Sequence, residues 1–211
     1  MSRTAGPILI PRAPCIWEPT VTSSARDRLV KALREYLAEL GVDVGSPGMR
    51  DTPERWVSAL EEYTEGLRVG FEEWKVFDSE ESSINTDGEL VIVRDIPFSS
   101  ICEHHLLPFF GKVHIAYVPG REIVGLSKFA RLVSWLAARP QVQERLTGQI
   151  ADHVMNMSDA KGVLVIIEAV HTCMVTRGAR SYGSRMVTLS ARGVLKAAGL
   201  EEAALQLLGI R

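Results

Sequence analysis

The chain has 211 residues, 46% of them hydrophobic, enough to bury a sizeable core in one domain with a helical appendage. Its formal net charge of −2 gives no global basic field, which sets nucleic acid aside as a partner and leaves any anion site to be local. Three cysteines, an odd count, argue against a disulfide framework and leave burial or metal ligation.

The amino terminus, MSRTAGPILIPRAP, carries an apolar run too short for a signal-peptide core, and no later segment approaches a membrane span, so a cytoplasmic location is expected. Residues 1–23 are expected to form a flexible arm in which Cys15 has no chemical role. From Ser24 the pattern changes: Leu29, Val30, Leu33, Leu37 and Leu40 share one face at helical spacing, and Gly41 supplies a stop. Thr52 before Pro53 predicts an N-capped second helix that carries Trp56, Val57, Leu60 and Tyr63 towards Gly66. Together these define a helical region over 24–77. The acidic, serine-containing stretch 78–89 reads as a mobile link at the head of a second region, 78–211.

In that region residues 90–93 and 112–118 predict strands, the second ending at Pro119-Gly120. Ser127 is placed as the cap of a helix bearing Leu132, Val133 and Leu136, ended by Pro140. A further helix follows with the stripe Val142, Leu146, Ile150, Val154. The β-branched run 163–167 predicts a buried strand continuing towards Cys173, with 186–189 as its hairpin partner. The order is two helices, then β-β-α-α-β-β, then a short helical tail: an α+β class without internal repeats.

Chemistry concentrates at Cys102-Glu103-His104-His105. A thiolate and an imidazole three residues apart let one turn present both to a tetrahedral Zn2+, at about 2.3 Å for sulfur and about 2.0–2.1 Å for nitrogen. Cys173 is the evident third ligand, and strand periodicity would put His171 on its face. Three protein ligands leave the fourth position open for a water, as catalytic zinc sites do, whereas a C-x-x-H pair by itself also describes a structural zinc knot. His104 and His171 flank the metal as surplus imidazoles suited to proton transfer near neutral pH. His114 and His153 read as ordinary strand and helix residues.

Ser127, Lys128 and Arg131 open a helix as a phosphate cradle, or equally as a capped solvated turn. Arg177 and Arg180 add guanidinium forks a few residues after Cys173. Gln143-Glu144 is either a solvated first turn, where acids suit the helix dipole, or a carboxylate aimed at two N–H donors of a guanine edge. Spacing alone leaves both open.

The blocks SICEHHLLPFFGKVHIAYVP, GLSKFAR, RPQVQERLTGQI and EAVHTCMVTRG, in that order and with DTPERW before the second helix, resemble the signature of GTP cyclohydrolase I over roughly residues 24–195. The resemblance implies a tunnelling fold, in which β-β-α-α-β-β units assemble into a barrel, and a toroidal homodecamer with active sites between subunits. It implies hydrolytic opening of the GTP imidazole ring at C8, release of formate and rearrangement to dihydroneopterin triphosphate. It implies zinc on Cys102, His105 and Cys173, proton transfer by His104 and His171 with Ser127, and a guanine clamp of Glu144 with Gln143. Lys128, Arg131, Arg177 and Arg55, with Ser127, become the triphosphate and ribose contacts.

Two departures stand out. Met186 occupies a position where the family pattern carries threonine, and the tail AAGLEEAALQLLGIR differs from the charged tail expected. A zinc nucleobase deaminase shares the same attack by activated water, but its C-x-x-C is missing here. A non-catalytic binding module of the same fold would have no chemical reason to keep His104, His171 and Glu144 together.

Overall fold

The computed structural model describes residues 23–71, 76–78 and 89–196, with Glu202 and Gln206. The expected arm, nearly all of the expected link and most of the divergent tail lie outside the described residues.

Helix α1 (Ser23–Glu39) ends before Gly41, whose φ of +85° lies in the left-handed region that glycine enters without strain. Helix α2 (Thr52–Tyr63) buries Pro53 and Val57. Its N-cap is Asp51 rather than Thr52, whose hydroxyl instead turns back to the Gly48 carbonyl at 3.3 Å. Polar contacts join the two helices: Arg26 donates to Ser58 at 2.9 Å and Arg34 to Glu54 at 2.8 Å. A short 3-10 turn, Glu65–Leu67, then meets the main body at one close approach. Gly66 N–H donates to Ala138 O at 2.9 Å, and a Cβ on Gly66 would lie 2.3 Å from Trp135 O. Only glycine fits there.

The strands are β1 (Val76–Asp78), β2 (Val91–Cys102), β3 (Pro108–Val118), β4 (Glu122–Val124), β5 (Pro140–Gln141), β6 (Gly162–His171) and β7 (Met186–Gly193). They form a five-stranded sheet in the order β5-β2-β3-β6-β7 and a two-stranded β1-β4 pair. The β2-β3, β3-β6 and β6-β7 ladders are antiparallel, and only β5 runs parallel, at the edge beside β2. Helices α3 (Leu126–Ala137) and α4 (Gln143–Met157) are inserted between β3 and β6, and a one-turn helix, α5 (Thr172–Val175), between β6 and β7. The expected β-β-α-α-β-β order is present, with β1, β4, β5 and α5 added.

The main core packs Phe129, Leu132, Leu136, Leu146, Ile150 and Val154 of the helices against Val113, Ile115, Val163, Val165 and Ile167. Side chains of the opposite parity, Ala116, Leu164 and Ile166, bury with Leu195 on the other face. Covered on both sides, β6 carries a continuous apolar run in place of alternation.

Two local expectations change. Helix α3 begins at Leu126 with Gly125 as N-cap, so Ser127 lies one residue inside the helix and makes no capping bond. Strand β6 stops at His171 and Cys173 lies on α5, so strand periodicity does not relate the two residues. No helix among the described residues is long and apolar enough to cross a membrane.

Candidate metal centre and active site

The β2-β3 hairpin makes its turn through the histidine loop. Cys102 N–H donates to Leu107 O and Leu106 N–H to Cys102 O, both at 2.9 Å, with Leu106 in the left-handed region at φ +51°. This tight turn leaves Cys102 buried at the end of its strand and His105 exposed three residues on. The loop is also fastened from the side. Glu103 N–H donates to Gln141 O at 3.0 Å, and the Glu103 carboxylate accepts from Arg145 of α4 at 2.5 Å. Arg145 bonds Gln141 Oε1 as well, at 3.0 Å.

The third thiol arrives on α5, which is pinned beside β3 by a hydrogen bond from Thr172 Oγ1 to Pro108 O at 2.6 Å. One ligand atom from each of Cys102, His105 and Cys173 lies within 4.8 Å of the others. Cys102 Sγ and His105 Nδ1 are 3.7 Å apart, against about 3.6 Å for sulfur and nitrogen on a common tetrahedral zinc. The donor set, two soft thiolates and an imidazole, fits one zinc-like ion and leaves one tetrahedral position unfilled. Burial and the neighbouring Cys102 sulfur push the Cys173 thiol above its ordinary pKa, while the Arg177 guanidinium pulls it down. A divalent ion at the centre would reverse the balance and hold the thiolates.

His171 closes β6 with its ring stacked on Phe109, centroids 4.5 Å apart and planes 6° from parallel. Its Nε2 lies 2.8 Å from Gln143 Oε1. Burial holds the imidazole below its ordinary pKa, with the Glu144 charge acting in the opposite sense. Glu144 itself is exposed on the first turn of α4, close enough for its charge to be felt at His171.

Gln143, expected to face guanine beside Glu144, is engaged otherwise. It is 1% exposed, and its amide nitrogen donates to Ile167 O at 3.0 Å, Met186 O at 3.1 Å and Thr188 Oγ1 at 3.0 Å. Thr188 in turn shares a 2.7 Å hydrogen bond with Thr147. The backbone carbonyl of Met186 takes part in this network.

The other expected residues are mostly exposed and lie at varied distances from the cluster. His104 is exposed, its ring edge-on to His105 at 6.3 Å, and among the described residues no hydrogen bond joins it to His171. Ser127 and Arg131 are exposed and Lys128 is half-buried on the first turns of α3. Lys128 and Arg131 line a recess of about 200 Å³ with Val69, Phe71 and Trp135, a lining that contains none of the metal-site residues. Arg177 and Arg180 are exposed after α5, and Arg55 is exposed on α2, paired with Asp51 at 3.3 Å. One chain thus brings together Cys102, His105, Cys173, His171, Gln143 and Glu144, with Arg177 near enough for its charge to act on Cys173, while Lys128 and Arg131 line a separate recess.

Phe109, Thr147, Thr188, Thr172 and Arg145 were not singled out by the sequence. Each acts mainly through a partner 28 or more residues away or through an apolar face, so no local spacing marks it, apart from the i−4 bonds of Arg145 to Gln141 and of Thr147 to the Gln143 carbonyl.

A family model described as GTP cyclohydrolase I matches residues 29–208. Among relatives named GTP cyclohydrolase 1, that of Brevibacillus brevis is 44% identical over 173 residues, 81% of this chain and 89% of the relative. That of Hydrogenobaculum sp. is 46% identical over 168 residues, covering 80% and 88%, and that of Saccharomyces cerevisiae 44% over 188 residues, covering 87% and 75%. Similarity of this depth, running from α1 through the metal cluster and beyond β7, means that the chain belongs to the GTP cyclohydrolase I family.

Proposed function

We propose that the chain is a GTP cyclohydrolase I, which opens the imidazole ring of GTP at C8, releases formate and closes the ribose carbons onto the freed amine as 7,8-dihydroneopterin triphosphate. The observation that carries this reading is the convergence of Cys102, His105 and Cys173, with a ring-stacked His171 two residues before the last of them. The group held by the two thiolates and His105 is zinc, which when bound supplies a Lewis acid that makes water nucleophilic near neutral pH.

The chain's own residues do the rest. The Glu144 carboxylate accepts two N–H bonds from the guanine edge and sets C8 over the metal site. His171 takes up and returns a proton at the opening ring, and His104 serves the later proton transfers with Ser127. Lys128, Arg131, Arg177 and Arg55 hold the triphosphate and ribose, a role that suits exposed guanidinium forks and a helix N-terminus.

The separation of Lys128 and Arg131 from the metal cluster in one chain supports a site completed between copies. Strand β7 supports it too, because among the described residues it pairs only with β6 and leaves one backbone edge open, with Val187 and Leu189 exposed. Copies joined edge to edge would form the barrel of a tunnelling fold and a toroidal decamer.

Zinc-loaded protein incubated with GTP should release formate and a pterin that fluoresces after oxidation, in equal amounts. Neither product, with zinc bound, would overturn the reading. Formate alone would place the failure in the rearrangement around Ser127.

A further inference from the structure

Gln143 is the residue whose observed surroundings depart most from its expected role. Its amide nitrogen faces two backbone carbonyls, of Ile167 and Met186, and the Thr188 hydroxyl. Carbonyl oxygens only accept hydrogen bonds, so the reversed amide would set its oxygen against two others in a buried site. The orientation is therefore fixed, with Oε1 towards His171 Nε2 at 2.8 Å. An amide oxygen can only accept, so Nε2 must carry the hydrogen. The amide thus engages Nε2 and leaves Nδ1 as the ring nitrogen it does not hold.

From this geometry we infer that Gln143 is a positioning residue that sets the tautomer and ring plane of His171, so that the working nitrogen of the proton carrier is Nδ1. The inference rests on the reading of His171 as proton carrier. Nδ1 takes a proton from the attacking water and passes it to the departing ring nitrogen, while Nε2 keeps its own hydrogen on Gln143 throughout. The Phe109 face holds the ring against tilting and the amide holds it against flipping, so two buried contacts fix the two rotations left to a histidine side chain. A Gln143 spent in this way has no amide left for guanine, which separates its role from that of the exposed Glu144.

The test uses the zinc-loaded enzyme and GTP. Gln143→Met keeps the volume and removes every hydrogen bond, so kcat should fall roughly 10- to 100-fold, with KM and zinc content nearly unchanged. In a His171→Ala background the same change should have no further effect, because Gln143 acts only through that ring. A raised KM at constant kcat, or a full additional loss in the His171→Ala background, would overturn the inference and return Gln143 to the guanine. If His171→Ala alone kept full activity, the proton-carrier reading would fall instead.

The tautomer is tested without turnover. In protein labelled with ring-15N histidine, the signal lost in His171→Ala should be that of an imidazole protonated at Nε2. A signal from the Nδ1-protonated form would refute the assignment, whatever Gln143→Met does to folding.

Discussion

Phe109→Leu is the most informative single change, because Phe109 belongs to the core and to the site at once. The ring is fully buried, stacks on His171 at 4.5 Å and meets the edge of Phe98 at 5.8 Å. Truncation of a buried phenylalanine to alanine costs about 3–5 kcal/mol, and leucine restores much of that volume, leaving roughly 1 kcal/mol from imperfect packing. Each aromatic pair adds about 0.5–1.5 kcal/mol beyond area, so losing two brings the total to roughly 2–4 kcal/mol. For a chain of this length that is a fall of about 4–16 °C in Tm. Differential scanning fluorimetry of the zinc-loaded protein reads the first quantity, and formate release the second. The stack orients His171, so kcat should fall while zinc content stays constant. The expected Tm loss with undiminished kcat would refute the positioning argument, and loss of zinc would mean that Phe109 supports the ligand turn instead.

Cys173→Ser should lose bound metal and activity while keeping the far-ultraviolet circular dichroism of the fold, because most of the main core is made by α3, α4, β3 and β6 and Cys173 only packs at its edge; global unfolding would mark the metal as structural. Gly66→Ala forces a Cβ to 2.3 Å from Trp135 O and 2.8 Å from Ala138 O, both backbone atoms, so the turn must lift, at about 1–3 kcal/mol, and limited proteolysis after α2 should accelerate. An unchanged cleavage rate would show that the turn has room. His114 contributes a pH dependence. Burial lowers its pKa below the ordinary 6.5, the Arg94 and Lys112 charges act in the same sense, and Asp95 and Glu168 act against it. The unfolded chain gains the proton first, so this contribution is complete above about pH 6.5 and is lost as the pH falls through the window beneath it. His114→Asn, which can still accept from Asp95 N–H, should flatten Tm in that window; an unaltered slope would place the titration elsewhere.

The ligand pair Cys102 and His105 was legible because one turn spans both, and the apolar stripe of α4 because nothing interrupts its period. The sequence of strands and helices along the chain followed from the apolar runs. The helical turn that carries Cys173 was not legible, since a short segment after a β-branched run looks like more strand; its backbone leaves the ladder once Thr172 bonds to Pro108. Ser127 looked like a cap by residue type, but Gly125, in extended conformation at φ −63° and ψ 131°, begins the helix two residues earlier. The burial of Gln143 was hidden for a different reason. A glutamine beside a glutamate on a first turn looks solvated, and only the packing of α4 over β6 and β7 buries one and exposes the other.

The Thr172 to Pro108 bond joins residues 64 positions apart, so it also orders events during folding. In the unfolded chain Cys102 and His105 are a weak bidentate pair, and Cys173 joins them only after β3 has found β6, with two helices folded between. Closing so long a loop is entropically slow compared with forming either helix. Tight metal uptake therefore times the last stage of the search rather than the first. A stopped-flow chelator competition during refolding would see helix signal rise ahead of metal capture, and the interval between them would be the time taken by the β3-β6 pairing.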